Sequence, residues 1–280
     1  MVMYPYILYC GDCREVMTGL AESGVRVNLT VTSPPYDNLR TYHKSCDWNY
    51  ELFEGIADGL YAITEVGGVV VWVVSDSMVK GSESGSSFRQ ALYFMDAGFK
   101  LHDTMIYEKH NPTPNTGNGV RYQQCFEYMF VFSKGKPAVH NILKEPRHNA
   151  CNDKRTQRIK CTNRNKDGEF GSEKLYLVNE LVPRRNIWTY KVGLYNTTKD
   201  KEAFVHPAIF PEQLANDHIL SWSNPNDLVF DPFMGSGTTG KMAVINGRRF
   251  IGVEKVAKYY FLAENRIREY SVNSSGIVGR

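Results

Sequence analysis

Short apolar runs that end at prolines or glycines alternate along this chain with longer segments in which apolar residues recur every three or four positions. In VNLTVTSPPY, residues 28–32 are predicted to form a buried strand. It stops at Pro34 and Pro35, which can neither donate a ladder hydrogen bond nor continue regular structure. A helical pattern over 50–64 leads through Gly67 and Gly68 into GGVVVWVV, a second strand ending at Ser75. Further elements are expected as helix 87–97, strand 104–107 and strand 127–133.

From about 137 to 205 the periodicity fades into polar, Asn-rich sequence with short apolar islands such as LYLVNELV, which predicts an insertion or separate lobe. Order returns with helix 212–222, strand 228–230, a glycine turn, helix 238–245, strand 250–253 and a last helix over 255–270. Neither α/β portion has enough strands to cover a parallel sheet alone, so the two are expected to share one. The divisions read as 1–136, 137–204 and 205–280.

The 280 residues, 42% of them hydrophobic, suffice for one substantial core with an appended lobe. The apolar runs are too short to cross a bilayer and the start lacks a signal pattern, so a cytoplasmic protein without a membrane partner is expected. Six cysteines without a secretion signal suit free thiols, and the lone CxxC of Cys10 and Cys13 lacks a second ligand pair, so no metal is expected. The net charge of +3 is mild. Basic residues between His140 and Lys201 outnumber the acids around them, which suits either a solvated loop or nucleic-acid contact.

Asp231-Pro-Phe-Met-Gly-Ser-Gly-Thr-Thr-Gly240 follows an apolar strand and opens a helix, where glycines let backbone approach a ligand. Gly235, Gly240 and Lys241 also fit the spacing of a phosphate-cradling loop, but Met242 stands where magnesium would need a hydroxyl. Asp231 would repel phosphates and suits a cationic nucleoside better. Glu254 closes the strand FIGVE, where a carboxylate can accept ribose hydroxyls or simply cap a helix, and Asp12 follows the strand of ILYCGD. In Thr32-Ser33-Pro34-Pro35-Tyr36, two prolines hold a hydroxyl, a carbonyl and a ring in one arrangement, unless the segment is only a strand-ending turn.

Together TSPPY and DPFMGSGTTG resemble the amino-methylating DNA methyltransferases, with the catalytic motif first and the cofactor motif last, as in their permuted beta class. Further likeness lies in GDCREVM, LHDTMIYEKHNPTP, FEYMFVFSKGK and HPAIFPEQL. The resemblance implies a Rossmann-like class I α/β fold in circularly permuted order, with the polar middle as an inserted target-recognition region. It implies S-adenosylmethionine as cofactor, with Asp12 at the adenine, Glu254 at the ribose, and Asp231, Phe233, Gly235, Gly237 and Thr238 on the methionine side, Phe210 nearby. Where many relatives have Lys-Pro, this chain has Phe210-Pro211, which removes a charged contact to the cofactor carboxylate.

An exocyclic amine is a poor nucleophile because its lone pair is conjugated with the ring, so the enzyme must favour a pyramidal nitrogen. Ser33 and the Pro34 carbonyl would accept the two amino hydrogens, Pro35 would hold the turn, and Tyr36 would stack on a flipped base. No Pro-Cys pair is present for a carbon-methylating route. Serine at the first motif position resembles the cytosine-N4 group more often than the adenine-N6 group, which is the alternative. Double-stranded DNA is the implied partner, with Arg155, Arg158, Arg184 and Arg185 as candidate contacts. A cognate restriction endonuclease is compatible, and monomer and homodimer both stay open. The rival readings are a non-catalytic nucleic-acid-binding α/β protein and a methyltransferase acting on RNA or protein.

Overall fold

Val-rich runs with no polar alternation demand a strand covered on both faces, and the structure places them at the centre of one sheet. This computed structural model describes residues 5–35, 48–112, 120–147, 158–177 and 179–274. In chain order the elements are β1 (Tyr6–Cys10), α1 (Cys13–Glu22), β2 (Val27–Thr32), α2 (Tyr50–Ile63), β3 (Thr64–Val74), the hairpin β4 (Met78–Val79) and β5 (Ser82–Glu83), α3 (Ser86–Asp96), β6 (Lys100–Lys109) and β7 (Phe126–Ser133). The middle holds β8 (Lys144–Pro146), β9 (Arg158–Cys161), β10 (Lys174–Leu177) and β11 (Leu181–Pro183). Then come β12 (Ile187–Tyr190), a 3-10 turn (Lys201–Val205), α4 (Glu212–Trp222), β13 (Leu228–Asp231), α5 (Thr238–Ile245), β14 (Arg249–Glu254) and α6 (Ala257–Ser274).

The order in the main sheet is β1-β14-β13-β2-β3-β7-β6-β12. Strand β7 runs antiparallel to both neighbours, while every other pairing is parallel. Strands β13 and β14, late in the chain, are inserted between β1 and β2 from its beginning. The two α/β portions therefore share one sheet, and the Rossmann-like architecture with permuted order is what the structure has.

Helices α1, α2 and α3 cover one face, where Met17, Phe53, Leu60, Trp72, Phe94, Phe132 and Phe230 join one buried cluster. The Trp72 indole N–H, buried with them, donates to Gln90 Oε1 at 2.8 Å, so this large aromatic leaves no unmet donor. Helix α1 follows the rule its sequence encodes: Cys13, Met17 and Leu20, at i, i+4 and i+7, are its buried residues, and Asp12 is its N-cap. Helices α4, α5 and α6 pack in series, with α4 and α5 against β2 and β13 and α6 against β1 and β14. Among the described residues no helix is long and apolar enough to cross a membrane.

The chain divides into two compact units, Met1–Asn141 with Asn186–Arg280, and Ile142–Arg185. The second unit is narrower than the 137–204 of the sequence reading, because β12 hydrogen-bonds along β6 and so belongs to the large sheet. Within the second unit β8 pairs with β11 and β9 with β10, both antiparallel. Residues 162–174 there are exposed. Their turn is held by Asn165, whose side chain accepts the amides of Asp167 and Glu169 at 3.0 and 2.9 Å, and by the Arg164 guanidinium over the Phe170 ring at 4.6 Å.

Candidate active site

Four adjacent strands, β1, β14, β13 and β2, run parallel, so their carboxyl ends open on one edge of the sheet. That edge carries Asp12, Glu254, Asp231 and the Thr32-Ser33-Pro34-Pro35 corner. Residues 199 positions apart meet there: Thr32 Oγ1 donates to Asp231 Oδ1 at 2.6 Å, both side chains buried. The Phe233 amide adds a bond to the same oxygen at 3.0 Å, and Thr239 Oγ1 donates to the Val31 carbonyl at 3.0 Å. The glycine-rich turn is thereby fastened directly to the strand that delivers Ser33. Pro34 is buried, while Ser33 and Pro35 are half-buried.

Burial pushes the Asp231 carboxyl up to about 7, against the opposing hydrogen bonds from Thr32, Phe233 and Thr239, and the nearby Glu254 adds to the rise. A carboxyl so placed is primed to ionise when a cation arrives beside it. Burial likewise raises the Glu254 carboxyl, and bonds from the Val256, Gly235 and Lys255 amides partly offset it. Its Oε2 accepts the Gly235 amide at 2.9 Å and its Oε1 the Val256 amide at 2.8 Å. Each carboxylate oxygen keeps a further lone pair for a ligand hydroxyl.

In the turn, Gly235 and Gly237 have φ of 51° and 82°, the left-handed region that glycine adopts without strain. A Cβ on Gly235 would come within 3.0 Å of His206 Nε2, and one on Gly237 within 2.9 Å of Ala263 Cβ. Gly237 thus serves the packing of α5 on α6, while Gly235 leaves room for the His206 ring, which also stacks edge-on with Tyr259 at 4.5 Å. Phe233 lies edge-on to Trp48 and Trp72, at 5.7 and 6.1 Å. Thr238 is buried at the start of α5, and Phe210 is half-buried one residue before the Pro211 cap of α4.

At the outer strand, Asp12 accepts from the Arg14 amide at 3.0 Å and from its guanidinium at 3.1 and 3.0 Å, with Lys255 Nζ at 3.6 Å. Hydrogen bonds from Arg14 hold its carboxyl down to about 2 despite partial burial. On the other side of the corner, Asp76 just beyond β3 accepts from Ser87 Oγ at 2.6 Å, the Ser87 amide at 3.0 Å, Ser84 Oγ at 3.1 Å and Ser86 Oγ at 3.2 Å. Burial pushes Asp76 up, but these bonds outweigh it and its carboxyl lies below its ordinary value.

Lys241 decides between the two readings of the glycine turn. Its side chain is buried, with Nζ 2.9 Å from Asp200 Oδ2 and 2.7 Å from Glu212 Oε1, and 4.2 Å from the Tyr270 ring centroid. The buried Arg266 guanidinium reaches the same two carboxylates at 3.0 Å each and also donates to the Ser236 carbonyl. Tyr270 and Thr198 hydroxyls complete the cluster, donating to Asp200 and Glu212 at 3.0 and 2.6 Å. A lysine held this way is not offered to a phosphate, so the phosphate-loop alternative falls.

Of the other expected site residues, Tyr36 and Arg155 lie outside the described residues, and Arg158 is described through its place in β9. Arg184 is half-buried, its amide donating to the Leu143 carbonyl at 2.8 Å, and Arg185 is exposed with Nε 3.7 Å from Glu145. Sequence reasoning passed over Thr32 and Thr239 as site residues, though both stand inside the quoted motifs. It also passed over His206, the first residue of the quoted HPAIFPEQL, and Asp76, whose only signal was a polar side chain just past an apolar strand.

The family model described as DNA methylase matches residues 27–265 of this chain. The orphan methyltransferase M.BamHII of Bacillus amyloliquefaciens is 52% identical over 255 residues, covering 91% of this chain and 93% of that one. Among solved structures, the M1.HpyAVI-SAM complex aligns with a TM-score of 0.62 at 25% identity, covering 94% of this chain and 98% of the other. The cytosine-N4-specific PvuII DNA methyltransferase aligns with a TM-score of 0.66 at 19% identity, covering 96% and 92%, a likeness of fold.

Replacing Lys241 by Met would leave the Asp200 and Glu212 carboxylates short of a cation in a buried setting. The expected loss is on the order of 3–5 kcal/mol of stability, read as a lowered denaturant midpoint with an unchanged m-value. An unaltered midpoint would contradict the structural role of the cluster.

Proposed function

Because this chain belongs to the DNA methylase family of N6/N4 methyltransferases, we propose that it methylates the N4 amino group of cytosine in duplex DNA. It is a catalytic S-adenosylmethionine-dependent enzyme whose acceptor is an exocyclic amine of cytosine or adenine in DNA. The observation that carries the assignment of the site is the Thr32–Asp231 hydrogen bond, which joins the Ser33 corner to the glycine turn. The preference for cytosine rests on Ser33, a neutral hydroxyl at the first motif position, in place of an acid.

The residues present fit a nucleoside with a positive charge. Asp231 is a buried carboxyl pushed up to about 7, the state a neighbouring cation would relieve. Asp231 with Phe233, Gly235, Gly237, Thr238 and Phe210 would line the charged amino-acid side, Glu254 would accept ribose hydroxyls, and Asp12 would meet the adenine. S-adenosylmethionine supplies, when bound, an electrophilic methyl on a sulfonium. Ser33 Oγ and the Pro34 carbonyl would accept the two hydrogens of the target amine and favour its pyramidal form, and Pro35 would fix their directions. Tyr36 would stack on the base once rotated out of the duplex, offsetting part of the few kcal/mol lost on unstacking. The unit Ile142–Arg185 would read the target, with Arg155, Arg158, Arg184 and Arg185 against phosphates or guanine edges.

Sequencing plasmid DNA from cells that express the protein reports the modified base and its context together. N4-methylcytosine is the expected product, and a signal on adenine N6 would replace that assignment. Ser33→Ala is expected to bind S-adenosylmethionine as the native chain does and to lose roughly 10²–10³ in kcat; full activity would remove Ser33 from its role.

Asp231 also predicts how cofactor affinity depends on pH. A cation favours the ionised carboxylate, so affinity is full above about pH 7 and weakens as pH falls through that value, by up to about tenfold per unit. Calorimetric titration from pH 8 downward tests this, and Asp231→Asn should flatten the profile.

Each Arg-to-Ala change at 155, 158, 184 or 185 that removes a phosphate contact should lower the salt slope of DNA binding by about 0.9. Unchanged slopes and affinities in all four would exclude these contacts.

A further inference from the structure

Strand β3 runs parallel to β2 with Trp72 opposite Thr32, so it delivers Ser75 and Asp76 to the edge that holds the Ser33 corner. The chain then turns at once into the β4–β5 hairpin. Both feet of this hairpin are pinned: Asp76 accepts from Ser84, Ser86 and Ser87, and the Ser84 amide donates to the Ser77 carbonyl at 2.8 Å. At its tip Lys80 and Gly81 have φ of 49° and 81°, the two positive values that a two-residue hairpin loop demands. Glycine, asparagine or aspartate meets that demand with least strain, yet the first position holds a lysine. A pinned arm thus carries a cation beside the Ser33 corner, on a backbone conformation of the kind that gathers at functional sites.

The start of β7 reaches the same edge, since β7 runs antiparallel to β3 with Tyr128 opposite Val74. Residues 120–122, just before it, are tied to the arm by the Arg121 guanidinium, which donates to the Gly81 carbonyl. Around these two cations the apolar side chains are open to solvent: Met78 and Val79 are 48% and 53% exposed, Val120 is 86% exposed, and the Tyr122 ring is fully exposed. Glu83, the one acid of the hairpin, stands at its base opposite Met78, away from the tip. Cations set among open apolar side chains fit a nucleic-acid strand, whose phosphates meet the charges and whose stacked bases meet a ring. A protein seated there would cover the edge by which the acceptor base has to enter.

Resting on the reading that the target base rotates out of the duplex, we propose that this rim holds the opened DNA: Lys80 binds a phosphate beside the target nucleotide, and Tyr122 enters the gap that the base leaves. The inserted ring stacks on the neighbouring base pairs, which offsets stacking lost on rotation and hinders the base from returning.

Initial rates on two duplexes test this, one with the target base paired and one with it facing an abasic site, where the pair is already broken. Tyr122→Ala should lose roughly tenfold in kcat/KM on the paired duplex, and most of that loss should vanish on the unpaired one. Tyr122→Phe keeps the ring and should restore the rate. Circular dichroism and S-adenosylmethionine affinity should match the native chain, since a fully exposed ring supports no packing. Lys80→Asn suits the turn and removes the charge, so it should lower the salt slope of duplex binding by about 0.9. Equal losses on both duplexes, no loss in Tyr122→Ala, or an unchanged slope in Lys80→Asn would each overturn the proposal. Rotation itself is read separately, from the fluorescence of a base analogue at the target position when the native chain binds. No rise there ends the rotation reading and this proposal with it, whereas a rise that Tyr122→Ala retains in full ends the proposal alone. Both duplexes are built around whichever base the native enzyme marks, so an adenine product would revise the cytosine assignment and leave this test intact.

Discussion

A hydroxyl and a carboxyl, Thr32 and Asp231, both buried, meet at the carboxyl ends of β2 and β13, 199 residues apart in sequence. That bond forms only because β13 lies against β2, an arrangement that requires the last part of the chain to insert into a sheet begun by the first. Without it the Ser-Pro-Pro corner and the glycine turn would be two ordinary loop motifs. With it, the Ser33 hydroxyl and the Pro34 carbonyl share one sheet edge with the buried Asp231 carboxyl and the glycine turn.

The site's electrostatics follow from where the carboxyls sit. Asp231 and Glu254 are pushed up by burial, whereas Asp12 and Asp76 are held down by donors around them. Behind this edge, Lys241 and Arg266 neutralise Asp200 and Glu212 in a closed cluster that ties α4, α5 and α6 together. Two of these acids are raised by burial and hydrogen-bonded to hydroxyls and amides, and another two are ion-paired and hold the helices. Breaking the second set costs stability.

Some elements were legible because one physical signal dominated. Strands β3, β13 and β14 read from apolar runs, since both faces of each are covered, while β2, with Asn28, Thr30 and Thr32 between its apolar residues, read from its stop at Pro34 and Pro35. Strand β12 went unread: IWTY is a four-residue edge strand with alternating exposure, too short for a period-two pattern to stand out in polar sequence. Helix α1 was missed as well, although Asp12 and the 13, 17, 20 spacing mark its start, because charged residues fill its outer face. The strand expected over 104–107 spans Lys100–Lys109, since hydrogen bonding to β7 extends pairing past the apolar residues.

By itself the sequence determined the motifs, the α/β class and the need for the two halves to share a sheet, because apolar periodicity and proline or glycine stops act locally. Only the tertiary structure decided what Lys241 does. A lysine after a glycine turn can face a phosphate or a carboxylate pair, and its choice depends on Asp200 and Glu212, which lie 41 and 29 residues away. Long-range pairing likewise decided that Asp231 is buried and its carboxyl raised, since desolvation depends on the surrounding fold and leaves no trace in the residues beside it.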